Sequence, residues 1–216
     1  MRHFEDWTTS ATAIPAGSAG DFRLVHVAVA RLWRPYWGLD DISECEMSGT
    51  LTSLIEDQHT LDTMHHTEWM IDDPARQRVM GLYAQAAKGR VLVGGLGLGL
   101  LAHELRRNPR VGIVDVIEQS EDVIALVGPS VAVPHRVVVL HGDFWDYATV
   151  VGDYDTIIVD LWDDRSAMSM TTMFIDVSTK VSAVRLANPQ AMVIVHGFPA
   201  LSDYDPLHPE GASHRV

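Results

Sequence analysis

Short apolar runs alternate with amphipathic segments through the second half of the chain. Each run has the length and the β-branched content of a buried strand, and the runs fall at residues 90–93, 111–117, 136–140, 154–159 and 191–195. Segments with helical spacing of apolar positions separate them, at residues 100–105, 120–127 and 166–186. This alternation predicts an α/β fold in which helices cover both faces of a parallel sheet.

The first 72 residues show a different pattern. Residues 1–20 are rich in Ser, Thr, Ala and Gly, which is typical of a loose arm, and residues 22–37 fit either a strand or a short helix. Residues 48–64 place apolar and β-branched positions on both sides of a polar Glu56-Asp57-Gln58 segment, which predicts a hairpin. Asp73 followed by Pro74 marks the start of a helix. We therefore expect an N-terminal arm and β-rich extension over residues 1–72.

Composition narrows the class of function. The 16 Lys and Arg against 29 Asp and Glu give a formal net charge of -13, which repels phosphate backbones and argues against nucleic acid as a partner. The single cysteine, Cys45, cannot form a disulfide within the chain and fits a reducing compartment. No export signal and no apolar stretch of bilayer length is visible, so we expect a soluble, cytoplasmic protein without a membrane partner.

A cluster of glycines lies between the first apolar run of the second half and the helix that follows it. Gly94, Gly95, Gly97 and Gly99 precede the helical segment, and Glu118 ends the next apolar run, 19 residues past Gly99. A strand, a glycine turn, a helix, a second strand and an acid form a mononucleotide-binding βαβ unit. The glycines allow a sharp turn and a close ligand, while the acid can bind two ribose hydroxyls.

Acids also follow the next two strands of the predicted sheet. Asp143 follows the third strand and Asp160 ends the fourth, at the edge where open α/β sheets bind ligands. A carboxylate in the place of Asp143 suits the amino group of an adenine, so the row of acids indicates one nucleoside lying across this edge. Residues 97–102 also satisfy the dinucleotide fingerprint, which keeps an NAD-dependent oxidoreductase as an alternative that Asp143 argues against.

The segments VLVGGLGLG, VDVIE, HGDFWDY and YDTIIVDLWDD, in this order, resemble the class I S-adenosylmethionine-dependent methyltransferases, and more narrowly their spermidine synthase-like branch. The resemblance covers residues 65–197. It implies a Rossmann-like sheet of order 3-2-1-4-5, with the methionine part of S-adenosylmethionine at the glycines, the ribose at Glu118, and the adenine at Asp143 and Phe144. The cofactor-binding residues predicted in this way are Gly95, Leu96, Gly97, Gly99, Glu118, Gln119, Asp143, Phe144 and Asp160. A Rossmann-like cofactor-binding domain would then span residues 73–198.

The resemblance also implies catalytic residues. Asp160 falls where spermidine synthases carry the acid that receives a proton from the attacking amine, and Asp163 lies beside it in the DLWDD segment. His196, after the fifth strand, is the second choice for a base. His65 and His66 lack partners at metal-ligand spacing, so we expect no metal site. Gln58 and the segment His65-His66-Thr67-Glu68 match segments of the same family only weakly.

Two departures from that branch affect the predicted reaction. Leu98 stands where spermidine synthases have an aspartate that contacts the aminopropyl amine, which favours methyl transfer over aminopropyl transfer. Residues 199–216 hold too little pattern for the usual last two strands and are expected to be a tail, so the N-terminal segment or the second subunit of a homodimer would complete the substrate side.

These observations predict S-adenosylmethionine-dependent methyl transfer to a small-molecule acceptor. One alternative is aminopropyl transfer from decarboxylated S-adenosylmethionine to a polyamine. The other is a nucleoside-binding module without catalytic activity.

Overall fold

A parallel sheet flanked by helices forms the second half of the molecule, as the alternating pattern predicts. The computed structural model describes residues 2–35, 44–59, 64–150, 153–161 and 170–204. The strands of this sheet are β6 (Gly89–Gly94), β7 (Val111–Glu118), β8 (Val137–His141), β9 (Thr156–Val159) and β10 (Met192–Val195). The helices are α1 (Pro74–Ala86), α2 (Leu100–Arg107), α3 (Glu121–Val131), α4 (Phe144–Val150) and α5 (Met170–Ala187). None of the helices in the described ranges is long and apolar enough to cross a membrane.

The five strands follow the order β10-β9-β6-β7-β8, and every neighbouring pair is parallel. The register brings Gly94 of β6 level with Ile117 of β7 and with Val159 of β9. The carboxyl ends of the strands therefore form one edge, and the glycine turn that follows β6 lies at its centre.

A second sheet precedes the parallel one and contains β1 (Arg2–Trp7), β2 (Gly17–Ala19), β3 (Phe22–Pro35), β4 (Glu44–His59) and β5 (Met64–Ile71). β4 pairs with β3 along one edge and with β1 and β5 along the other. The position expected for the hairpin turn is wrong, because the polar Glu56-Asp57 segment continues β4, and β4 instead pairs antiparallel with β5. Asp57 accepts hydrogen bonds from Arg23 Nε and faces His66 Nδ1 at 2.6 Å, so its neighbours in the sheet satisfy its charge.

The expectation of a loose arm at residues 1–20 is also wrong. Trp7 Nε1 donates to the carbonyl oxygen of Asp72 at 2.9 Å, and the Thr9 hydroxyl donates to the Asp72 carboxylate at 2.5 Å. The backbone N–H of Thr52 donates to the same carboxylate at 2.6 Å, which joins the first strand to β4. Burial raises the pKa of Asp72, and the donors Thr52 and Thr9 oppose that rise because they stabilise the charged carboxylate.

One hydrophobic core spans both sheets. Leu24, Leu54 and Met70 of the first sheet belong to the same cluster of buried side chains as Val93 of the second sheet and Leu98 of the glycine turn. The sulfur of Met70 accepts the N–H of Leu98 at 3.2 Å. The first sheet therefore packs directly against the glycine turn.

The predicted helix start at Asp73 is confirmed. The Asp73 carboxylate accepts the N–H of Arg76 at 2.9 Å, and Pro74 is the first residue of α1. A side-chain oxygen at this position satisfies one of the backbone donors that the first turn of a helix leaves unpaired.

The expectation of a tail from residue 199 onward is wrong for residues 199–204. Ser202 Oγ accepts the N–H of Val195 at 2.7 Å, and Asp203 Oδ2 accepts the N–H of Val193 at 2.8 Å. Asp203 also pairs with Arg185 at 2.9 Å. In the described part of the chain, these two side chains therefore accept the outward-facing N–H groups of β10. Without them, a further strand would have to pair with this edge of the sheet. Residues 205–216 lie outside the described ranges.

His103 in α2 gives the fold a predicted pH dependence. Burial, with the nearby charges of Arg106 and Arg107, lowers the pKa of His103 from 6.5 to about 4. The unfolded chain takes up a proton below about pH 6.5 and the folded chain does not, so the free energy of unfolding falls as the pH drops from 6.5 towards 4. Urea unfolding at about pH 7 and about pH 5 should show a smaller loss of stability for His103→Gln than for the unchanged protein. Equal losses would contradict the assignment, and His141→Gln, at a half-exposed site, serves as the control.

Candidate active site

A cavity of about 670 Å³ lies at the carboxyl edge of the parallel sheet and is covered by the first sheet. Its floor comes from the loops that follow β6 to β9 and includes Gly95, Gly97, Glu118, Gln119, Asp143, Phe144 and Asp160. The first sheet and α1 contribute Phe22, Leu54, Glu56, Trp69, Met70 and Arg76, and α5 contributes Met173, Asp176, Val177 and Lys180. Most of the predicted cofactor-binding residues therefore line one cavity. Leu96 and Gly99 do not line it, because they face the core behind the turn.

Gly95 brings the glycine turn against the end of β9. Its φ is +90°, and a Cβ at this position would lie 2.2 Å from the carbonyl oxygen of Asp160. No side chain fits between the two backbones, and a φ in this region is open mainly to glycine. This contact fixes the distance between the glycine turn and Asp160.

Gly97 has a protein neighbour where the sequence suggested space for a ligand. A Cβ there would lie 2.5 Å from the sulfur of Met70. The close approach that this glycine permits is therefore to the first sheet, although Gly97 also lines the cavity. Leu98 is fully buried and does not line the cavity, so its side chain makes no contact with a ligand there.

Glu118, at the end of β7, links two loops at the edge of the cavity. Its Oε2 accepts the N–H of Leu96 at 2.8 Å, and its Oε1 accepts the N–H of Ser120 at 2.8 Å. Each carboxylate oxygen has a second lone pair, so hydroxyl groups of a ligand can donate to the same carboxylate. Glu118 therefore orients the glycine turn while it faces the cavity.

Asp143 and Phe144 form the cavity wall after β8. Asp143 Oδ1 accepts the N–H of Trp145 at 2.8 Å, which fixes the carboxylate at the start of α4. The ring of Phe144 lies against Gly94, where a Cβ would meet it at 2.8 Å, and makes an edge contact with Trp145 at 5.1 Å. An exposed acid beside a buried aromatic ring offers one acceptor and one flat apolar surface.

Asp160 faces two basic side chains at the other end of the cavity. Asp160 Oδ1 lies 3.9 Å from Arg76 Nη1 and 4.0 Å from His196 Nε2. Arg76 Nη1 and His196 Nε2 are 2.7 Å apart, and His196 Nδ1 lies 3.1 Å from the Tyr83 hydroxyl. A guanidinium can only donate, so Nε2 of His196 accepts and the proton of the neutral ring is on Nδ1. The lone pair that a base would need is therefore engaged, which contradicts the choice of His196 as a base.

The α5 side of the cavity carries a charged and aromatic wall. Lys180 Nζ pairs with Asp176 at 3.0 Å and lies 5.4 Å from the centre of the Trp145 ring. On the first sheet, Trp69 Nε1 donates to Glu56 at 2.9 Å, and both residues line the cavity. Among the described residues, five carboxylates and two cationic side chains line the cavity. This excess of negative charge favours a cationic ligand.

Several predicted residues lie elsewhere or outside the described ranges. Asp163 falls within residues 162–169, which are not described, and the side chains of Gln58 and His65 are not described either. His66 pairs with Asp57, and Glu68 accepts from Ser53 Oγ at 2.9 Å; neither lines the cavity. Among the described residues, no group of three or more His, Cys, Asp or Glu side chains has a metal-binding arrangement.

Sequence reasoning missed Arg76 and the α5 wall, and it left Trp69 as a core residue by default. Arg76 carried one usable signal: it is a cation in the first turn of a helix, where the helix dipole favours acids, so a tertiary contact had to explain it. Trp69 could stack on adenine or a substrate, although a single aromatic residue is a core residue by default; in the structure it lines the cavity.

Comparisons with known proteins give remote similarities only. No protein-family model and no curated protein matches the chain. Among solved structures, human methyltransferase-like protein 13 in complex with SAH is 20% identical over 55% of this chain and 62% of that chain, with a TM-score of 0.40. A methyltransferase from Geobacter sulfurreducens is 20% identical over 57% of this chain and 60% of that chain, with a TM-score of 0.42. A SAM-dependent methyltransferase from the same organism, in complex with S-adenosyl-L-homocysteine, is 20% identical over 57% of this chain and 47% of that chain, with a TM-score of 0.39. The chain thus spans less than two thirds of each of these three chains. At these TM-scores the similarities assign no function, and the function proposed below depends on the cavity.

Proposed function

We propose that the chain binds S-adenosylmethionine in this cavity and transfers its methyl group to a small-molecule acceptor. The observation that carries the proposal is the row of groups along the carboxyl edge of the sheet. Asp143 after β8, Glu118 at the end of β7, the Gly95 turn after β6 and Asp160 after β9 all line one cavity. Their spatial order follows the parts of the cofactor: adenine, ribose and the methionine chain.

The dimensions of the edge support this placement. Neighbouring strands lie about 4.8 Å apart, so the step from β8 to β9 spans three spacings, on the order of 14 Å. An extended S-adenosylmethionine molecule has a comparable length. Asp143 would then accept from the adenine amino group beside Phe144, and Glu118 would accept from the ribose hydroxyls.

The proposed reaction demands positioning more than acid–base chemistry. The sulfonium already activates the methyl group, so an acceptor held in line with the sulfur–methyl bond gains much of the rate from proximity. The negative charge of the cavity would attract the sulfonium cation. Where the acceptor must lose a proton, Asp163 is the proposed base, because Asp160 lies at the methionine end of the row and is assigned to the cofactor.

The space between Trp69 and the α5 wall is the proposed acceptor site. Both surfaces line the same cavity as the row of acids and belong to neither proposed nucleoside contact. In this arrangement the first sheet, residues 1–72, completes the substrate side of the Rossmann-like domain of residues 73–198.

Calorimetric titration of the purified protein tests the proposal. The ligands are S-adenosylmethionine, S-adenosylhomocysteine, decarboxylated S-adenosylmethionine and NAD. We expect the first two to bind and NAD not to bind. Preference for the decarboxylated cofactor would replace methyl transfer with aminopropyl transfer. Binding of NAD alone, or of none of the four, would overturn the proposal.

A further inference from the structure

We propose that Arg76 and Asp160 form a clamp for the α-amino-acid group of the cofactor, with Arg76 binding the carboxylate and Asp160 binding the ammonium. The inference rests on the proposed function, because it assumes that the nucleoside lies over β7 and β8. It adds a specificity-determining residue, Arg76, which lies outside the glycine turn and outside the row of strand-end acids.

The two charges are close but do not share a hydrogen bond. Arg76 Nη1 and Asp160 Oδ1 are 3.9 Å apart, and the side chains are only 11% and 14% exposed. Hydrogen bonds between nitrogen and oxygen end at about 3.2 Å. An opposite pair at this spacing, with both members lining the cavity, complements a ligand that carries a carboxylate and an ammonium on one carbon atom.

Neighbouring side chains orient the guanidinium. One of its five N–H donors is directed to His196 Nε2 at 2.7 Å, and Tyr83 fixes the imidazole from the other side at 3.1 Å. The planar fork of an arginine is suited to binding a carboxylate through two parallel hydrogen bonds. Arg76 lies in the first turn of α1, where a cation is unfavourable for the helix. A role of its side chain in the cavity therefore explains an arginine at this position better than helix stability does.

The position of the pair along the sheet edge matches the end of the cofactor. Asp160 follows β9, one strand beyond the glycine turn on the side away from Glu118 and Asp143. The contact between Gly95 and the carbonyl oxygen of Asp160 ties this pair to the turn. A methionine chain that passes the turn from the ribose side would end beside the pair of Arg76 and Asp160, where both side chains border the cavity.

This assignment predicts how ligands are distinguished. S-adenosylhomocysteine carries both charged groups, decarboxylated S-adenosylmethionine lacks the carboxylate, and 5′-methylthioadenosine lacks both. The clamp should favour the intact amino acid over the decarboxylated form, and therefore methyl transfer over aminopropyl transfer.

Calorimetry with Arg76→Met separates this clamp from a structural role. We expect the affinity for S-adenosylhomocysteine to fall about 10- to 100-fold, as for lost charge-assisted hydrogen bonds, and the affinity for 5′-methylthioadenosine to change less than about twofold. Arg78→Met is the matched control, since Arg78 is an exposed arginine of the same helix that does not line the cavity; it should change neither affinity. Arg76→Lys, which keeps the charge but not the planar fork, should lose less than Arg76→Met.

Other outcomes are decisive as well. Equal losses for both ligands with Arg76→Met would assign Arg76 to packing and overturn the clamp, and so would an unchanged affinity for S-adenosylhomocysteine. Asp160→Asn provides a second test if Arg76→Met fails to fold: it should weaken S-adenosylhomocysteine and spare 5′-methylthioadenosine. Failure of the unchanged protein to bind either ligand would instead refute the proposed function.

Discussion

Replacing Glu118 with alanine is expected to reduce the affinity for S-adenosylhomocysteine at least about 100-fold. Two contributions add to this loss. The ribose hydroxyls lose a charged acceptor, and each such hydrogen bond contributes about 1.5–3 kcal/mol. The N–H of Leu96 and the N–H of Ser120 also lose their acceptor, so the glycine turn is no longer held in place.

Glu118→Gln should be nearly as harmful as Glu118→Ala, although it preserves the shape. Both backbone partners of Glu118 are donors, and an amide has only one oxygen to offer them. Its NH₂ group would face an N–H, and one buried donor would be left unpaired at a cost of about 1–3 kcal/mol.

Calorimetry measures the affinity of both Glu118 variants, and urea unfolding in the absence of ligand measures their stability. Glu121→Ala is the control, because Glu121 is a nearby acid whose side chain is 81% exposed. If Glu118→Gln bound S-adenosylhomocysteine within about threefold of the affinity of the unchanged protein, both the proposed ribose contact and the role of Glu118 in the turn would be contradicted.

The parallel sheet was predictable from the sequence because its signals are local. A buried strand, a glycine turn and an amphipathic helix each occupy a few consecutive residues, and Val91 to Gly94 are buried on both faces, as their apolar run predicts. The acids at the strand ends were predictable for the same reason.

The first sheet could not be predicted equally well because its polar positions are satisfied by distant residues. In the sequence, Asp57 has the pattern of a turn residue. In the structure, Arg23 and His66 lie beside it and satisfy its charge. The same limit applies to Arg76: its partner His196 is 120 residues away in the chain, and no local pattern connects them. The topology of the fold brings such pairs together, so the sequence contains both residues but gives no sign that they are in contact.

Gly95→Ala is expected to lower the free energy of unfolding by about 3 kcal/mol or more. The new Cβ would lie 2.2 Å from the carbonyl oxygen of Asp160, and neither backbone can move without shifting β6 or β9. Backbone strain at a positive φ contributes about 1–3 kcal/mol, and steric overlap in a packed region contributes a further 1–3 kcal/mol or so.

A second glycine supplies a control of opposite sign. Gly81 lies within α1, and a Cβ there would have no heavy atom within 4 Å. Gly81→Ala should therefore raise the stability by about 0.5–1 kcal/mol, because alanine loses less backbone entropy in a helix. Urea unfolding of both variants measures the difference. If Gly95→Ala were as stable as the unchanged protein, the turn would have room to relax, and the fixed distance between the glycine turn and Asp160 would not hold. That distance places Asp160 beside the methionine end of the proposed ligand, so the stability of this one variant also tests the geometry on which the amino-acid clamp depends.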